Sequence, residues 1–263
     1  MTLDLRRNGT RPLRIGHRGA PALAPENTLR SLARALEHPL DFVELDVLST
    51  GDAKLVLGHS YELRELTHGA VRRGSARPRS LVELRRLAPD LPTLDEALEF
   101  LVAEAPGLGV QIDMKEPGYE SPVVEALRRH DLLERSFVSS YFPRSLHALA
   151  AAEPGLPRAL TYPQDRFGVS RWRALVPAVA AALVAFRQAL PYRIDRWLAR
   201  SGASAATLHY ALCSRAVVHR CHARGAGVLA WTVDDPRVVQ TLSGYGIDGI
   251  ITNDPRIFDL GLT

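Results

Sequence analysis

The chain has 263 residues, 46% of them hydrophobic and 24% charged. That length fits one large domain, and the composition is that of a soluble globular protein with ample material for a core. The net charge is +4, and no stretch resembles a nuclease's basic patch or a nucleic-acid module, so nucleic acid is not an expected partner.

Apolar, β-branched runs alternate with helical patterns along the chain. The runs are Leu13–Gly16, Phe42–Leu48, Leu55–Gly58, Gly109–Met114, Phe137–Tyr141, Arg158–Tyr162, Ala206–Tyr210, Val228–Val233 and Gly249–Thr252. Between the first two, residues 27–37 carry Leu29, Leu32, Ala33 and Leu36 on one helical face. Thr93 with Glu96 three residues on forms a capping box. Ser121-Pro122 and Asp235-Pro236 are helix starts with proline in the first turn. Eight strand–helix units closing on themselves give a (β/α)8 TIM barrel over residues 1–263. The run at Leu55–Gly58 follows its predecessor too closely for a crossover helix and is expected to extend or rim the second unit. A doubly wound open sheet is less favoured, because the candidate polar residues sit at the C-terminal ends of many strands, where a barrel builds its site.

Residues 163–203 break the rhythm. They replace a short βα-loop with two helical stretches, 172–190 and 192–200, a helical insertion. Trp172, Leu175, Val176, Val179, Leu183, Phe186 and Leu190 recur at helical spacing. Arg166, Arg171, Arg173, Arg187, Arg193, Arg196 and Arg200 face only Asp165 and Asp195, so the segment is more positive than the +4 of the whole chain. Arginines and tryptophans (Trp172, Trp197) flanking an apolar helix suit an anionic membrane surface. A lid packed on the barrel or a dimer contact is the other reading.

The N-terminus, residues 1–14, lacks a signal-peptide core. The longest apolar run, residues 174–186, is broken by Pro177 and too short for a bilayer. A cytoplasmic protein, peripheral to the membrane at most, is the expectation. Cys213 and Cys221 lie eight residues apart in a helical pattern, roughly 12 Å, too far to bridge. They are expected to be free, buried thiols. Lys54 and Lys115 are the only lysines among the 33 basic residues, which makes Lys115 worth attention.

Glu44 and Asp46 lie two apart on a strand and share a face. Two inward carboxylates repel, and a divalent cation resolves the repulsion. A helix cap or an arginine partner is the plainer use for either one. Asp113 and Lys115 again share a face at the next barrel-strand end. Asp113 can complete a three-carboxylate site and Lys115 can neutralise a phosphate oxygen; a simple Asp–Lys neighbour pair is the alternative. His17 and His59 both end apolar runs, and histidine suits the base and the acid that a phosphodiester needs. Arg18 offers a bidentate fork for phosphate. His209 also ends a strand, without an assigned role.

Taken together these pieces resemble the glycerophosphodiester phosphodiesterase family. They are His17-Arg18-Gly19, Pro25-Glu26-Asn27-Thr28, Glu44-Leu45-Asp46, His59 followed by Leu63, Thr67 and Gly69, Pro92-Thr93-Leu94, Asp113-Met114-Lys115, Trp231-Thr232-Val233, and Asp248 to Thr252 before Pro255. The resemblance covers the chain apart from the insertion. It implies a TIM barrel that hydrolyses glycerophosphodiesters to glycerol 3-phosphate and an alcohol. It implies a divalent metal held by Glu44, Asp46 and Asp113, and such hard oxygen ligands favour Mg²⁺ or Ca²⁺, with Mn²⁺ as a third choice. It implies His17 and His59 as the acid–base pair, Arg18 and Lys115 on the phosphate, and Trp231 lining the pocket. Glu26 and Asn27 are expected to shape the first loop rather than react.

Three departures stand out. The family usually has glutamate where Asp113 stands and aspartate where Ser60 stands. The small domain that many relatives insert before the third barrel strand is reduced here to residues 61–90. Two further readings accompany the first: a lysophospholipase D-type reaction on a lysophospholipid at a membrane, and a catalytically silent barrel that binds a phospholipid.

Overall fold

Parallel strands buried on both faces read as near-continuous apolar runs, and each run named above becomes a strand. A computed structural model of the chain describes residues 3–7, 11–164 and 176–259. The strands are β1 (Leu13–Gly16), β2 (Phe42–Ser49), β3 (Leu55–Leu57), β4 (Gly109–Met114), β5 (Ser136–Ser140), β6 (Arg158–Tyr162), β7 (Ala205–His209), β8 (Gly227–Trp231) and β9 (Gly249–Thr252). Parallel pairing runs from β2 through β4 to β9, and β1 pairs in parallel with both β9 and β2, which closes an eight-stranded barrel. β3 lies outside the ring, antiparallel on the C-terminal half of β2 with Val47 opposite Leu57. It rims the second unit, as the short spacing predicts.

The helices are α1 (Leu29–Ala35), α2 (Leu63–Leu66), α3 (Leu81–Leu87), α4 (Leu94–Glu104), α5 (Glu120–Arg129), α6 (Pro143–Ala152), α7 (Val176–Ala189), α8 (Ile194–Ser201), α9 (Arg215–His222) and α10 (Pro236–Tyr245). Thr93 caps α4 in a capping box with Glu96, and the helix buries Leu94, Ala97, Leu98 and Leu101. Asp235 caps α10 ahead of Pro236, and left-handed Gly246 ends it. α1 starts later than the periodicity predicts, at Leu29 after the cap Thr28, and it buries Ser31, Leu32 and Ala35. Ala33 faces outward instead, because buried Ser31 is committed to the preceding loop.

The barrel interior is filled by Ile15, Phe42, Phe137, Ala159, Ala205, Leu229 and Ile251, with Leu5 of the N-terminal segment against them. Phe42 and Phe137 meet edge-on, 5.5 Å between centroids. Gly109 lies so close that a Cβ there would sit 2.2 Å from the Phe42 ring. Phe137 is fully buried, and truncating such a ring to alanine costs about 3–5 kcal/mol. Two larger clusters fill the layer between strands and helices.

Within residues 163–203, α8 packs against α6 and α9 and buries Ile194 and Leu198, the place of an ordinary crossover helix. Trp197 packs on Tyr162 at 4.7 Å, partly buried between the two large clusters. α7 packs beside the turn at residues 210–212. Of its apolar stripe, Leu190 is buried, while Phe186 is 41% exposed and touches Tyr162. Trp172 and Leu175, with Asp165, Arg166, Arg171 and Arg173, lie outside the described residues. Among the described residues no helix is long and apolar enough to cross a membrane. Cys213 and Cys221 are free and buried, and burial pushes both thiols up to about 12.

Candidate active site

The carboxylates converge because of strand register. Glu44 stands beside Gln111 and Asp46 beside Asp113 across the β2–β4 ladder, so alternation sends Glu44, Asp46 and Asp113 to one face. Each offers an oxygen, and the three oxygens lie within 4.8 Å of one another in a buried cluster. Asp113 next neighbours Ser139 of β5. The Ser139 hydroxyl donates to Asp113 Oδ1 at 2.5 Å and accepts from Gln111 Nε2 at 3.0 Å. Thr161 of β6 also donates to Asp113 Oδ1, at 3.4 Å. A ladder of small polar side chains inside the barrel thus orients the third acid.

Lys115 is paired with both Asp46 and Asp113. Its backbone N–H donates to the Tyr119 hydroxyl, which in turn donates to the Val47 carbonyl at 2.7 Å, tying the loop after β4 to β2. Arg18 has φ 53, a left-handed conformation rare outside glycine. Ser31 holds it there: the Ser31 hydroxyl donates to the Arg18 carbonyl at 2.9 Å and accepts from Ala20 N–H at 2.8 Å. Gly19, at φ 87, could carry no side chain, since a Cβ would meet Ser31 backbone at 2.7 Å. The strained turn aims the Arg18 N–H at Glu44 Oε2, 2.8 Å away. The Arg18 guanidinium lies 2.8 Å from both Asp46 and Glu26.

Burial in this cluster works against every charge, and the neighbours decide the outcome. Burial, then the Asp46 charge, pushes Glu44 well above the usual carboxylate range. Burial alone would raise Asp46 too, but Arg18 and Lys115 outweigh it and hold its carboxyl well below that range. Burial opposes the Lys115 charge, yet Asp113 and Asp46 keep its ammonium well above the ordinary lysine value. Asp46 Oδ1 and Arg18 Nε are fully buried and charge-paired, the first with Lys115 and the second with Asp46 Oδ2 at 2.8 Å.

His17 follows β1, and its side chain is 12% exposed. Its Nδ1 lies 2.7 Å from Asn253 Oδ1. Asn253 is held by Asp234, which accepts from the Asn253 side-chain N–H₂ and from its backbone N–H, each at 2.8 Å. A carboxylate only accepts, so the amide must turn its oxygen toward His17. Nδ1 then carries the proton and Nε2 keeps a lone pair, 4.0 Å from Glu44 Oε2. Burial, then Arg18, pushes the imidazole down to about 3.

His59 stands just beyond β3, where the Gly58 N–H bonds the Asp46 carbonyl at 3.0 Å. Its side chain is 32% exposed, and it lines a cavity of about 170 Å³ with Glu26, Asn27, Glu65 and His68. Trp231 ends β8, donates from Nε1 to the Thr207 carbonyl at 3.2 Å and meets His209 edge-on. His209 also stacks on Tyr210, 4.7 Å between centroids, and burial lowers its pKa.

The register and hydrogen bonds bring Glu44, Asp46, Asp113, Lys115, Arg18 and His17 into one cluster. Sequence reasoning missed Asn253, Asp234, Ser139, Thr161 and Glu65. It gave Asn27 only a loop-shaping part, whereas its amide donates to Asp46 Oδ2 at 3.0 Å and its carbonyl oxygen accepts the Asp46 N–H. The one available signal was that Asn253 and Asp234 each fall just past a strand end, where a barrel gathers its chemistry.

The chain matches the glycerophosphoryl diester phosphodiesterase family over residues 17–257. It is 28% identical over 258 residues to a protein of Caldanaerobacter subterraneus subsp. tengcongensis named glycerophosphodiester phosphodiesterase, covering 92% of this chain and 94% of that one. Among solved structures it is similar to a putative glycerophosphoryl diester phosphodiesterase from Silicibacter pomeroyi, with a TM-score of 0.77, 23% identity and coverage of 99% and 97%. It is also similar to an Oleispira antarctica phosphodiesterase solved with the product sn-glycerol-3-phosphate, with a TM-score of 0.74, 24% identity and coverage of 96% and 97%.

Proposed function

We propose that this chain, which belongs to the glycerophosphoryl diester phosphodiesterase family, hydrolyses small glycerophosphodiesters to glycerol 3-phosphate and an alcohol, with His17 as base and His59 as acid. The observation that carries the reading is the buried cluster of Glu44, Asp46 and Asp113 beside Lys115, Arg18 and His17.

Three hard oxygen donors fit Mg²⁺, Ca²⁺ or Mn²⁺, and the convergence of Glu44, Asp46 and Asp113 oxygens within 4.8 Å of one another in a buried cluster supports that use. When bound, such an ion neutralises phosphate charge and stabilises the charge that develops at phosphorus. Lys115 and Arg18 turn their donors from the acids to the remaining phosphate oxygens. His17 accepts the nucleophile's proton at Nε2, since Asn253 occupies its Nδ1–H. His59 protonates the departing alkoxide. Trp231 forms the wall against which the glycerol carbon chain rests.

The test is product analysis by ³¹P NMR with glycerophosphocholine, glycerophosphoethanolamine and a lysophospholipid, each with Mg²⁺, Ca²⁺ or Mn²⁺ and with chelator. Glycerol 3-phosphate from the small diesters, abolished by chelation, is expected. Full turnover after dialysis against EDTA would overturn the metal's part, and no turnover of any diester with any ion would favour the silent barrel.

One observation favours a second reading, a lysophospholipid substrate met at an anionic membrane by a cytoplasmic, peripheral protein. α7 exposes Val184 and Phe186, and Phe186 stands against Tyr162 at the C-terminal end of β6. The inward packing of Trp197 counts against that residue as an anchor. Cosedimentation with anionic against neutral vesicles discriminates: equal, negligible binding removes this reading.

A further inference from the structure

We propose that Glu65 is a positioning residue for His59: it fixes which ring nitrogen delivers the proton to the leaving alcohol. This rests on the reading of His59 as the acid.

Glu65 Oε2 lies 3.3 Å from His59 Nδ1 and accepts the Ser60 hydroxyl at 2.6 Å. Ser60 is itself fixed, because its Oγ also accepts the Glu62 N–H at 3.2 Å. The carboxylate is therefore not a loose surface charge; Ser60 ties it beside the imidazole. Its backbone is fixed as well. α2 is one turn long, but Leu63 and Leu66 on either side of Glu65 are buried with Leu48, Val56 and Leu84, and Leu63 N–H bonds the Gly74 carbonyl at 3.0 Å.

An ionised carboxylate can only accept, so Nδ1 must carry a proton whenever this contact is made. The exchangeable proton is then confined to Nε2. As the P–O bond to the alcohol breaks, its electron pair stays on oxygen and takes the proton from Nε2. The imidazolium becomes a neutral ring still protonated at Nδ1, and a solvent proton restores it. Glu65 itself neither gives nor takes a proton in this step.

A group that matters only through leaving-group protonation has a distinctive signature. Choline is a poor leaving group and needs the proton; p-nitrophenolate departs without it. Glu65→Ala is expected to lower kcat on glycerophosphocholine by about 10- to 100-fold, the range for partners that orient an active-site histidine, with KM little changed. The same variant keeps most of its rate on a p-nitrophenyl phosphodiester. Glu65→Gln preserves the length of the side chain and an acceptor oxygen, guards against loss of the α2 turn, and should show the same split at smaller size. In a His59→Ala background Glu65→Ala should cost nothing further, because the two act as one unit. Equal losses on both esters, or a full extra loss in the His59→Ala background, overturn the proposal. If His59→Ala itself keeps the wild-type rate on glycerophosphocholine, the acid reading fails and this inference with it. If His59→Ala fails but Glu65→Ala does not, only the inference falls.

Discussion

His17 and His59 flank one cluster of acids, yet they are held in opposite ways. His17 grows from a barrel strand, is 12% exposed, and is locked through Asn253 to Asp234. His59 sits past a strand outside the closed ring, is 32% exposed, and leans on a carboxylate at 3.3 Å. In each, Nδ1 is engaged and Nε2 is left for chemistry. The partners differ in charge: Asn253 presents a neutral amide oxygen to His17, and Glu65 presents a carboxylate to His59. On the proposed reading the two settings serve opposite proton transfers, the pattern by which one site separates its base from its acid.

The largest effect removes what lies beneath both histidines. Glu44→Gln should lower turnover at least about 10³-fold, since stabilisation of transition-state charge by a metal is worth several kcal/mol. Chelating the wild type should match it in a steady-state assay. A Glu44→Gln enzyme with near wild-type kcat would mean that the cluster is structural and the comparison has no common centre.

Next come the histidines themselves. Each alanine variant should cost about 10² to 10⁴ on glycerophosphocholine. The comparison sharpens with a p-nitrophenyl diester, on which His59→Ala should recover and His17→Ala should not. Recovery of His17→Ala instead would exchange the two roles.

Smaller again is the support of His17. Asn253→Ala should cost about 10- to 100-fold, with similar loss on both esters because the base is needed for each. Asp234→Asn, free to present an N–H₂ to Asn253, should turn the amide and give a loss of the same order. A leaving-group-dependent loss at Asn253 would tie it to the acid step.

The smallest expected effect lies away from the mouth. Thr93→Ala removes the α4 cap, worth ~1 kcal/mol, and should lower the midpoint of urea unfolding while leaving kcat on both esters unchanged. A change in kcat would show that the barrel wall, and not only the mouth, distinguishes the histidines.

Much of this was legible along the chain. Strand alternation put Glu44 with Asp46 and Asp113 with Lys115 on shared faces, and the β2–β4 register then set Asp46 beside Asp113. The close succession of two runs marked β3 as a rim strand. Less was legible in residues 163–203. The apolar stripe was real as a pattern, but whether Trp197 met lipid or protein depended on Tyr162, far earlier in sequence. At Ser60 the chain departs from the family's usual aspartate, and nothing local showed that Glu65 reaches the same imidazole.

The sequence by itself determined periodic and local things: strand faces, helix caps, the order of the units and the residue types at strand ends. These follow from backbone geometry over a few neighbours. Only the tertiary structure decided the contacts that engage Nδ1 of each histidine. Asn253 reaches His17 across 236 residues because β9 closes the barrel against β1. Arg18 takes its left-handed turn because Ser31, on the following helix, holds it. Such pairings depend on closure of the ring, and no pattern of period two or 3.6 encodes which side chains closure brings together.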